Sequence, residues 1–500
     1  MLVSRKVPVN LALVAGNRMR MIAPATKGAR SLMHTFVLSS RNTHTAPAHK
    51  LLKLQNHRRS YTTRTTKPDG KKTLVLLGTG WGSTTMLKTL DTSNFNVIVV
   101  SPRNYFLFTP LLPSCTVGTT ENRSIMEPIR HIVGRNNKDV RFYEAQCTDI
   151  DPKAKQLTLQ TPSDTVAHIS YDYLVVGVGG TYNTFGTPGV QEHALFLKEM
   201  QDASKIRRRL KDTIERAGFE DTTLEERKRL LHMVVVGGGP TGVEFAGELH
   251  DLITEDLSKW VPGLAKHVRI TLVEALPHVL PSFDPKLVKY TEHTLRKNGI
   301  QLMTGTTVKR VGRTTLVVRD TKDGRESEIP YGNIVWAAGI QAREFAHTLR
   351  AKVPHVQTNA RGLIIDDHLR VKGTGDIWAL GDCTVSKNAP LAQVASQQGK
   401  WLARAFNAMA KERQAGDAYN SIAAKAPFVY ASKGSLAYIG GERAIAEIPA
   451  FSTSITAGGP LASLFWKSYC LWELFSVRSS LSVATDWAKR AVFGRHISVD

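Results

Sequence analysis

One pattern occurs twice in this chain and constrains its fold more than any other feature. A short apolar run, Thr73–Leu77 in the first copy and Met233–Val236 in the second, leads into closely spaced glycines and then a helical stretch. Glycine lets backbone amides approach a pyrophosphate at the start of a helix, so this order is typical of dinucleotide sites. We therefore predict an α/β fold with two Rossmann-type dinucleotide-binding domains. The glycines are Gly78, Gly80 and Gly82 in the first copy and Gly237, Gly239 and Gly242 in the second.

Three further apolar runs, each ending at a glycine, indicate how the two units are connected. Tyr173–Val176 lies between the two glycine loops, whereas Ile334–Ala338 and Ile377–Leu380 follow the second loop. Such runs read as buried strands of parallel sheets. We expect the second unit to be inserted within the first domain, which resumes near Arg361.

The residue that ends the second strand of each unit predicts which nucleotide binds. Glu274 ends the run Ile270–Glu274. A carboxylate there accepts hydrogen bonds from the ribose hydroxyls of NAD and repels the 2′-phosphate of NADP. The second unit is therefore expected to bind NADH, with an ordinary strand-end acid as the alternative.

The first unit has Ser101 at the corresponding position, so its ribose contact must be weaker or come from neighbours. Gly381 and Asp382, which follow Ile377–Leu380, favour FAD in this unit. An aspartate placed after a strand and a glycine is suited to hold the ribityl and pyrophosphate region of a flavin. A Gly-Asp pair by itself is commonly only a turn.

The net charge of +23 suggests an acidic partner, either nucleic acid or anionic lipid. Residues 1–68 contain 13 Lys or Arg and no Asp or Glu, which leaves +10 on the rest of the chain. An Arg-rich, Ser/Thr-rich, acid-free start is typical of a mitochondrial transit peptide, and a disordered basic tail is the alternative. This distribution disfavours nucleic acid as the partner.

The cysteines give no sign of a redox or metal centre. Their spacing contains no CxxC or CxxxxC pair, which argues against a disulfide scaffold, a zinc site and a thioredoxin-reductase-like redox pair. We expect incidental or structural thiols and no metal. The four are Cys115, Cys147, Cys383 and Cys470.

The C-terminal part has the pattern of amphipathic helices that lie on a membrane. No stretch reaches the roughly 18–20 apolar residues of a membrane-spanning helix. Apolar residues recur at helical spacing from Leu461, and Leu481–Phe493 carries an aromatic residue beside basic ones, which suits the headgroup zone of a bilayer. A dimer face or a core-packing helix pair is the alternative. The residues are Leu461, Leu464, Phe465, Trp472 and Phe475, then Trp487, Lys489, Arg490 and Arg495.

Several blocks resemble the mitochondrial type II NADH:ubiquinone oxidoreductases, the single-chain alternative dehydrogenases. The resemblance runs from about Thr73 to the C-terminus. It implies an FAD enzyme that oxidises NADH and reduces ubiquinone in the respiratory chain without pumping protons, and a homodimer. The blocks are LLGTGWGS, SPRNYFLFTPLLPS, NTFGTPGV, VVVGGGPTGVEFAGEL, LVEALPHVLP, IWALGDC and AQVASQQ.

The resemblance also assigns residues to sites. Glu244 would lie near the nicotinamide, with a helix N-terminal acid favoured by the dipole as the alternative. Gln393 and Gln397 would line the quinone pocket beside the flavin, although two glutamines four apart more often form a solvated face. The FAD site comprises Gly78, Gly80, Gly82, Ser101, Arg103, Asn104, Thr109, Pro110, Gly381 and Asp382, and the NADH site Gly237, Gly239, Gly242, Glu274 and Gly339.

These assignments divide the chain into five parts. The absence of a stop-transfer helix and of an EF-hand pattern favours the matrix side of the inner mitochondrial membrane, with the intermembrane-space side as the alternative. We expect the protein to lie on the lipid surface through residues 461–495. The parts are a transit segment (1–68), the FAD-binding domain (69–200), the NADH-binding domain (201–355), the second FAD part with the quinone-site helix (356–425) and a membrane-anchoring and dimerisation region (426–500).

Three other functions share parts of this pattern. A sulfide:quinone oxidoreductase has the same fold but needs cysteines near the flavin, for which Cys115 and Cys383 are the candidates. A flavoprotein similar to apoptosis-inducing factor would bind nucleic acid through a basic patch. A membrane-associated binding protein without activity is the third.

Overall fold

The computed structural model describes residues 60–62, 70–136, 140–412, 418–450 and 453–497, which all belong to one unit, His57–Asp500. Most of the expected transit segment, 1–68, lies outside these residues. Ser60–Thr62 is the exception, because it forms a strand parallel to Val166–Ser170.

The described residues contain the following elements in chain order. The strands before the second glycine loop are β1 (Ser60–Thr62), β2 (Thr73–Leu77), β3 (Asn96–Ser101), β4 (Tyr105–Leu107), β5 (Met126–Pro128), β6 (Arg141–Glu144), β7 (Gln146–Asp151), β8 (Gln156–Gln160), β9 (Val166–Ser170), β10 (Tyr173–Val176), β11 (Gly180–Tyr182), β12 (Leu195–Phe196) and β13 (His232–Val236). The later strands are β14 (Arg269–Val273), β15 (Ile300–Met303), β16 (Thr306–Val311), β17 (Thr315–Asp320), β18 (Glu326–Pro330), β19 (Asn333–Trp336), β20 (Ile340–Ala342), β21 (Leu363–Ile364), β22 (Ile377–Ala379), β23 (Thr384–Val385), β24 (Ser435–Gly440), β25 (Arg443–Ala450) and β26 (Thr453–Gly459). The helices are α1 (Trp81–Thr89), α2 (Leu112–Thr116), α3 (Ile129–Asn136), α4 (Val190–His193), α5 (Met200–Gly218), α6 (Leu224–Leu230), α7 (Pro240–Asp251), α8 (Ser258–Trp260), α9 (Pro262–Ala265), α10 (Pro285–Lys297), α11 (Glu344–Lys352), α12 (Ala392–Lys411), α13 (Ala418–Ala423), α14 (Pro460–Glu473) and α15 (Val477–Phe493), with a π-helix, Leu252–Leu257, between α7 and α8.

Two five-stranded parallel sheets form the framework, as the repeated pattern predicts. The first has the order β22-β10-β2-β3-β6 and the second β12-β19-β13-β14-β15. The residues of β2, β3 and β13 are all buried, which explains their continuous apolar sequence, because helices cover both faces of a parallel sheet. The predicted α/β fold class, with one nucleotide-binding domain inserted in the other, is confirmed.

The chain crosses between the domains at slightly different places than predicted. β12 already belongs to the second sheet, so the inserted domain begins before residue 195 instead of at 201. At the far end, Phe345 and Leu349 of α11 pack in the core of the first domain, so the insert ends before residue 344 instead of at 355. The two-residue edge strand β12 and the short helix α11 are too short for their sequence patterns to predict these crossings. The antiparallel pair β11 and β20 links the two connecting segments.

Helix α12 packs on the first sheet through one aromatic residue and one glycine. The ring of Phe406 lies 5.1 Å from that of Trp378 and 5.8 Å from that of Tyr173, centroid to centroid. Near the start of α12, a Cβ atom on Gly399 would overlap the carbonyl oxygen of Gly82 in α1. The two helices therefore touch through their backbones, and α12 lies directly against the first glycine loop.

The C-terminal part joins the inserted domain through a second glycine contact. The antiparallel sheet β24-β25-β26 packs on α7, where Gly440 and Gly247 meet so closely that a Cβ on Gly247 would lie 2.6 Å from the amide nitrogen of Gly440. Helices α14 and α15 follow this sheet, with the rings of Trp466 and Trp487 6.4 Å apart. The three-residue connection between the helices makes them antiparallel neighbours.

Replacing Gly399 by alanine should lower the free energy of unfolding by about 1–3 kcal/mol, the usual effect of forcing an extra methyl group into a packed contact. Urea denaturation followed by circular dichroism measures this change. Gly134 of α3 is the matched control, because a Cβ there meets no atom of the described residues within 4 Å. Gly134→Ala should leave stability unchanged or raise it slightly. Equal stability of Gly399→Ala and the wild type would contradict the backbone contact.

Candidate functional site

Glycine is found at the three positions of the first loop for different structural reasons. Gly78 has a φ of +99°, and a Cβ there would overlap the carbonyl oxygen of Gly177. Gly82 faces the Leu380 side chain at the contact with α12. Gly80 has an ordinary φ of −82° and, among the described residues, no atom within 4 Å of an added Cβ. Because the fold itself does not require glycine at position 80, the open space there fits a ligand that approaches the backbone.

The second loop repeats this division of roles. Gly237 has a φ of +114° and lies against Ala337, and a Cβ on Gly242 would overlap the carbonyl oxygen of Gly237. Gly239 has a φ of −73° and open space around it in the described part of the chain. Each loop thus presents one unobstructed glycine at the N-terminus of a helix, where amides and the helix dipole favour phosphate.

Ser83, which follows the first loop, supplies a second sign of a ligand. Its side chain is fully buried, and its hydroxyl has no hydrogen-bond partner among the described residues. Buried hydroxyls are normally paired, because an unpaired one costs about 1–3 kcal/mol. A phosphate oxygen at the start of α1 would pair with it. The residues present at the first loop therefore fit a dinucleotide such as FAD.

The carboxylate of Glu274 is held beside the second loop by backbone amides. It accepts a hydrogen bond from Leu276 N at 2.7 Å and another from Gly238 N. This fixes an anionic acceptor at the carboxyl end of β14, where the ribose of the adenosine half is expected. The arrangement suits hydroxyl groups and repels a phosphate group.

Ser101 and Thr109 have internal partners. The Ser101 hydroxyl is buried, lies 3.1 Å from that of Thr79, and accepts the backbone N–H of Arg103 at 3.1 Å. Thr109 accepts the indole N–H of Trp81 at 3.1 Å. The structure therefore shows both residues holding the loops around the site.

Arg103 also has a partner within the chain. Its guanidinium pairs with Glu199 at 2.6 Å. Glu199 precedes α5 and also pairs with Arg343, beyond β20. Arg103 thus connects the first sheet to both segments that cross between the domains.

Gly381 and Asp382 lie at the carboxyl end of β22, beside the first loop. Gly381 has a φ of +73°, and its N–H donates to Gln398 Oε1 at 2.8 Å. Asp382 pairs with Lys198 Nζ at 3.3 Å. Sequence reasoning missed both partners. Gln398 lies next to Gln397 in the quoted block, whereas Lys198 is 184 residues away from Asp382 and gives no local signal.

The two glutamines expected at the quinone pocket both bind one loop. Gln393 Nε2 donates to Gly434 O at 2.8 Å. Gln397 Nε2 donates to Ala431 O at 2.8 Å, and its Oε1 accepts Ala431 N at 3.1 Å. The glutamines therefore fasten the segment before β24 to α12, and the helix connects the first glycine loop with the C-terminal sheet.

Glu244 lies on the inner face of α7, where the C-terminal sheet covers it. It accepts the backbone N–H of Tyr438 at 3.4 Å. Burial raises the pKa of Glu244 to about 8, and the neighbouring Glu248 acts in the same direction. Burial also raises the pKa of Glu248 to about 7, against the opposing effect of Arg495, and Thr119 donates to it at 2.6 Å. Glu244 is therefore mainly protonated at neutral pH, and Glu248 is a second buried acid that the sequence did not single out.

Gly339 lies just beyond β19, at the carboxyl end of the second sheet. Its φ is +71°, and a Cβ there would overlap the ring of Phe185. Gly339 is thus brought to the same edge of the sheet as the second glycine loop, two residues after Ala337, which packs on Gly237.

The C-terminal helices expose most of the predicted apolar stripe. Leu461 and Trp472 are 84% and 85% exposed, and Leu464 and Phe465 are exposed beside them. Phe475 is an exception, because its ring packs 4.2 Å from that of Phe106 in the first domain. α15 adds further exposed apolar residues, Val477, Leu481, Val492 and Phe493. No helix among the described residues combines the length and the hydropathy needed to span a bilayer.

Two of the basic residues expected at lipid headgroups instead form ion pairs within the protein. Arg490 pairs with Glu442 at 2.6 Å and with Glu255 at 2.7 Å. Arg495 is buried and pairs with Asp256 at 2.7 Å. Their guanidinium groups are engaged because the π-helix after α7 presents acids to them, which the sequence pattern could not reveal. Lys489 is exposed.

The four cysteines are free thiols in buried positions. Cys383 directly follows Asp382, and burial raises the pKa of its thiol to about 12. Burial raises the pKa of Cys115 as well. Neutral thiols are poor nucleophiles, so neither cysteine suits the sulfide chemistry of the rival assignment.

Comparisons with known proteins agree with this architecture. Residues 72–399 match the pyridine nucleotide-disulphide oxidoreductase family, and residues 432–496 match the NDH2 C-terminal domain. The chain is 47% identical over 470 residues to the external alternative NADH-ubiquinone oxidoreductase of Yarrowia lipolytica mitochondria, covering 86% of this chain and 81% of the relative. It is 45% identical over 452 residues to external NADH-ubiquinone oxidoreductase 2 of Saccharomyces cerevisiae mitochondria, covering 86% and 82%.

Solved structures are similar over the same range. NDH2 from Plasmodium falciparum, solved in complex with NADH, superposes with a TM-score of 0.80 at 27% identity, covering 86% of this chain and 100% of that one. A sulfide:quinone oxidoreductase from Aquifex aeolicus superposes with a TM-score of 0.63 at 20% identity, covering 85% and 96%, which shows a shared fold alone. The duplicated nucleotide loops, the C-terminal domain and these relatives together show that the chain belongs to the type II, or alternative, NADH-ubiquinone oxidoreductase family.

Proposed function

We propose that this protein uses FAD to oxidise NADH and to reduce ubiquinone in the mitochondrial respiratory chain, without pumping protons. The observation that carries the proposal is the position of α12. Its Gly399 touches the first glycine loop, its Gln398 holds the Gly381–Asp382 turn, and its Gln393 fastens the segment that leads into the C-terminal sheet. One helix thus joins the site suited to a flavin with the part of the chain that carries the exposed apolar helices.

The residues of the two loops would hold the nucleotides. When bound, FAD supplies the two-electron exchange between NADH and quinone. The open face at Gly80, the Ser83 hydroxyl and Asp382 would bind its phosphate and ribityl groups. The open face at Gly239 would take the pyrophosphate of NADH, and Glu274 would select NADH over NADPH.

Glu244 is the group that we propose to supply a proton. The overall reaction converts NADH, one proton and quinone into NAD⁺ and quinol, so one proton must be delivered to the reduced quinone. Glu244 is buried between α7 and β24, where it accepts the N–H of Tyr438. Tyr438 lies four residues along the chain from Gly434, whose carbonyl Gln393 binds. Its raised pKa keeps a proton available at neutral pH.

The exposed face of α14 and α15 supports attachment to the lipid surface through residues 461–495. Leu461 near the start of α14 and Phe493 near the end of α15 are both exposed, as are Trp472 and Leu481 at the other end of the pair. Contiguous exposed apolar residues mark a membrane or protein interface. A homodimer through residues 426–500 is the second use that we propose for this region.

For the orientation we propose the intermembrane-space side of the inner membrane. The sequence favoured the matrix side, and that remains an expectation from the sequence alone. The relatives from Y. lipolytica and S. cerevisiae, at 47% and 45% identity, are both named external enzymes, which favours the opposite side. Protease protection in mitoplasts distinguishes the two sides.

Stopped-flow absorbance tests the function. NADH should bleach the flavin of the purified protein, and a short-chain ubiquinone should restore its absorbance. Gly80→Ala should lose bound FAD, because its Cβ fills the space left for the phosphates, whereas Gly239→Ala should keep FAD but lose bleaching by NADH. Both variants should retain the wild-type fold by circular dichroism, since neither Cβ meets an atom of the described residues within 4 Å. Bleaching by sulfide instead of NADH, or no reoxidation by quinone, would contradict the proposal.

The rate of flavin reoxidation by quinone should fall as the pH rises through about 8, because Glu244 loses its proton there. Glu244→Gln keeps the shape of the neutral acid, and should slow reoxidation by about 10²-fold and abolish this pH step. Glu248→Gln should keep the step and move it to lower pH, because it removes a neighbouring carboxylate. A wild-type rate that is independent of pH between about 6 and 9 would contradict a proton donor with this pKa.

Binding to liposomes that contain anionic lipid should depend on the exposed helix face. Replacing Leu461 and Trp472 together by serine should weaken co-flotation by at least about a hundredfold, because each side chain contributes about 1.5–3 kcal/mol in an apolar medium. Phe219→Ser with Leu224→Ser, which removes two exposed apolar residues of the inserted domain, is the control. Unchanged flotation, together with loss of a dimer in sedimentation, would assign this face to dimerisation instead.

A further inference from the structure

The block NTFGTPGV contains a tight turn whose sequence does not match its conformation. Thr187 N donates to Thr184 O at 2.9 Å, and the two central residues, Phe185 and Gly186, have φ values of +53° and +70°. Two successive positive φ angles define the type I′ turn, for which Asn-Gly, Asp-Gly and Gly-Gly are strongly preferred. An aromatic residue at the first central position is strained, because its Cβ crowds the backbone.

Burial of the Phe185 side chain does not compensate for this backbone strain. Its side chain is 65% exposed. The turn is fixed without the ring, because Asn183 Oδ1 accepts Phe185 N at 2.8 Å and Asn183 O accepts the indole N–H of Trp336 at 3.0 Å. Neither turn chemistry nor burial therefore accounts for an aromatic side chain here. Strain that the fold does not need points to a function.

The position of the ring indicates what it meets. It lies against Gly339, just past β19, and a Cβ on Gly339 would overlap it. In the sheet order β12-β19-β13-β14-β15, the strand β13, which carries the second glycine loop, lies between β19 and β14. Glu274 follows β14, so Phe185 and Glu274 lie on opposite sides of the loop. A dinucleotide crosses the carboxyl ends of such strands with its pyrophosphate at the loop. With the adenosine half on the Glu274 side, the nicotinamide half extends toward Phe185.

We propose that the ring of Phe185 contacts the nicotinamide half of NADH and is a substrate-binding residue of this site. The inference rests on the proposed function, in which the second loop binds NADH. An exposed aromatic ring on a turn that is held by hydrogen bonds can present a face or an edge to a planar ligand ring, and such ring pairs are favourable beyond the area that they bury. The turn keeps the ring at the rim of the site at the cost of backbone strain.

Phe185→Asn tests this proposal without disturbing the turn, because asparagine is preferred at this position. The flavin is first reduced chemically under anaerobic conditions, so that NADH binds without transferring a hydride. Calorimetric titration of this flavin-loaded protein with NADH should then give a dissociation constant raised about two- to tenfold, the range of one aromatic contact. The dissociation constant for ADP-ribose, which lacks nicotinamide, should not change. Phe185→Tyr should bind NADH like the wild type. Phe219→Asn, at a residue that is 62% exposed and has an ordinary φ of −64°, is the matched control and should change neither constant.

Equal binding of NADH by Phe185→Asn and the wild type would overturn the proposal. So would an equal loss of affinity for NADH and ADP-ribose, which would assign the ring to the adenosine half or to the loop itself. Wild-type protein that binds NADH without flavin bleaching would refute the proposed function instead, while the two dissociation constants would still test the role of Phe185.

Discussion

The backbone contact between α1 and α12 is the constraint on which the rest of the site depends. Because Gly82 and Gly399 have no side chains, the two helices meet directly, and α12 is held against the loop that starts α1. The polar groups of α12 then act at fixed places. Gln398 reaches Gly381 at the end of β22, and Gln393 reaches Gly434 before β24. A larger side chain at either glycine would separate the helix from the loop and would displace both of these contacts.

Buried charge determines where the C-terminal helices attach. Arg495 pairs with Asp256 of the π-helix, and Glu127 of β5 accepts hydrogen bonds from Ser476 and Ser479 at the start of α15. Removing charges from water costs about as much as such pairs return, so they add little net stability. In any other docking position of these helices, however, the buried charged groups would lose their partners, and an unpaired buried charge is strongly unfavourable. The exposed apolar residues of α14 and α15 are thereby kept on the surface of the molecule.

The two nucleotide loops show why a motif can be identified in sequence although its residues differ in role. Gly78 and Gly237 are required by positive φ, and Gly82 and Gly242 by close packing. The middle glycine of each loop has neither reason in the described structure, and the open space beside it fits a ligand that approaches the backbone. In the sequence the three glycines of each copy look equivalent, because an amino-acid sequence does not show φ angles or spatial contacts.

The sequence by itself determined the fold class, the insertion of one domain in the other and the family, because continuous apolar strands and glycine loops are local patterns. It also singled out Glu274, because an acid at the end of an apolar strand is a local pattern, whereas its partner Gly238 lies 36 residues away. Only the tertiary structure decided which groups those patterns bring together. Lys198 meets Asp382, Glu248 is buried beside Glu244, and Arg490 and Arg495 turn inward. It likewise moved the domain crossings to segments before residues 195 and 344. These contacts join residues far apart in the chain, and their burial and charge arise only once the two sheets and the C-terminal helices have packed.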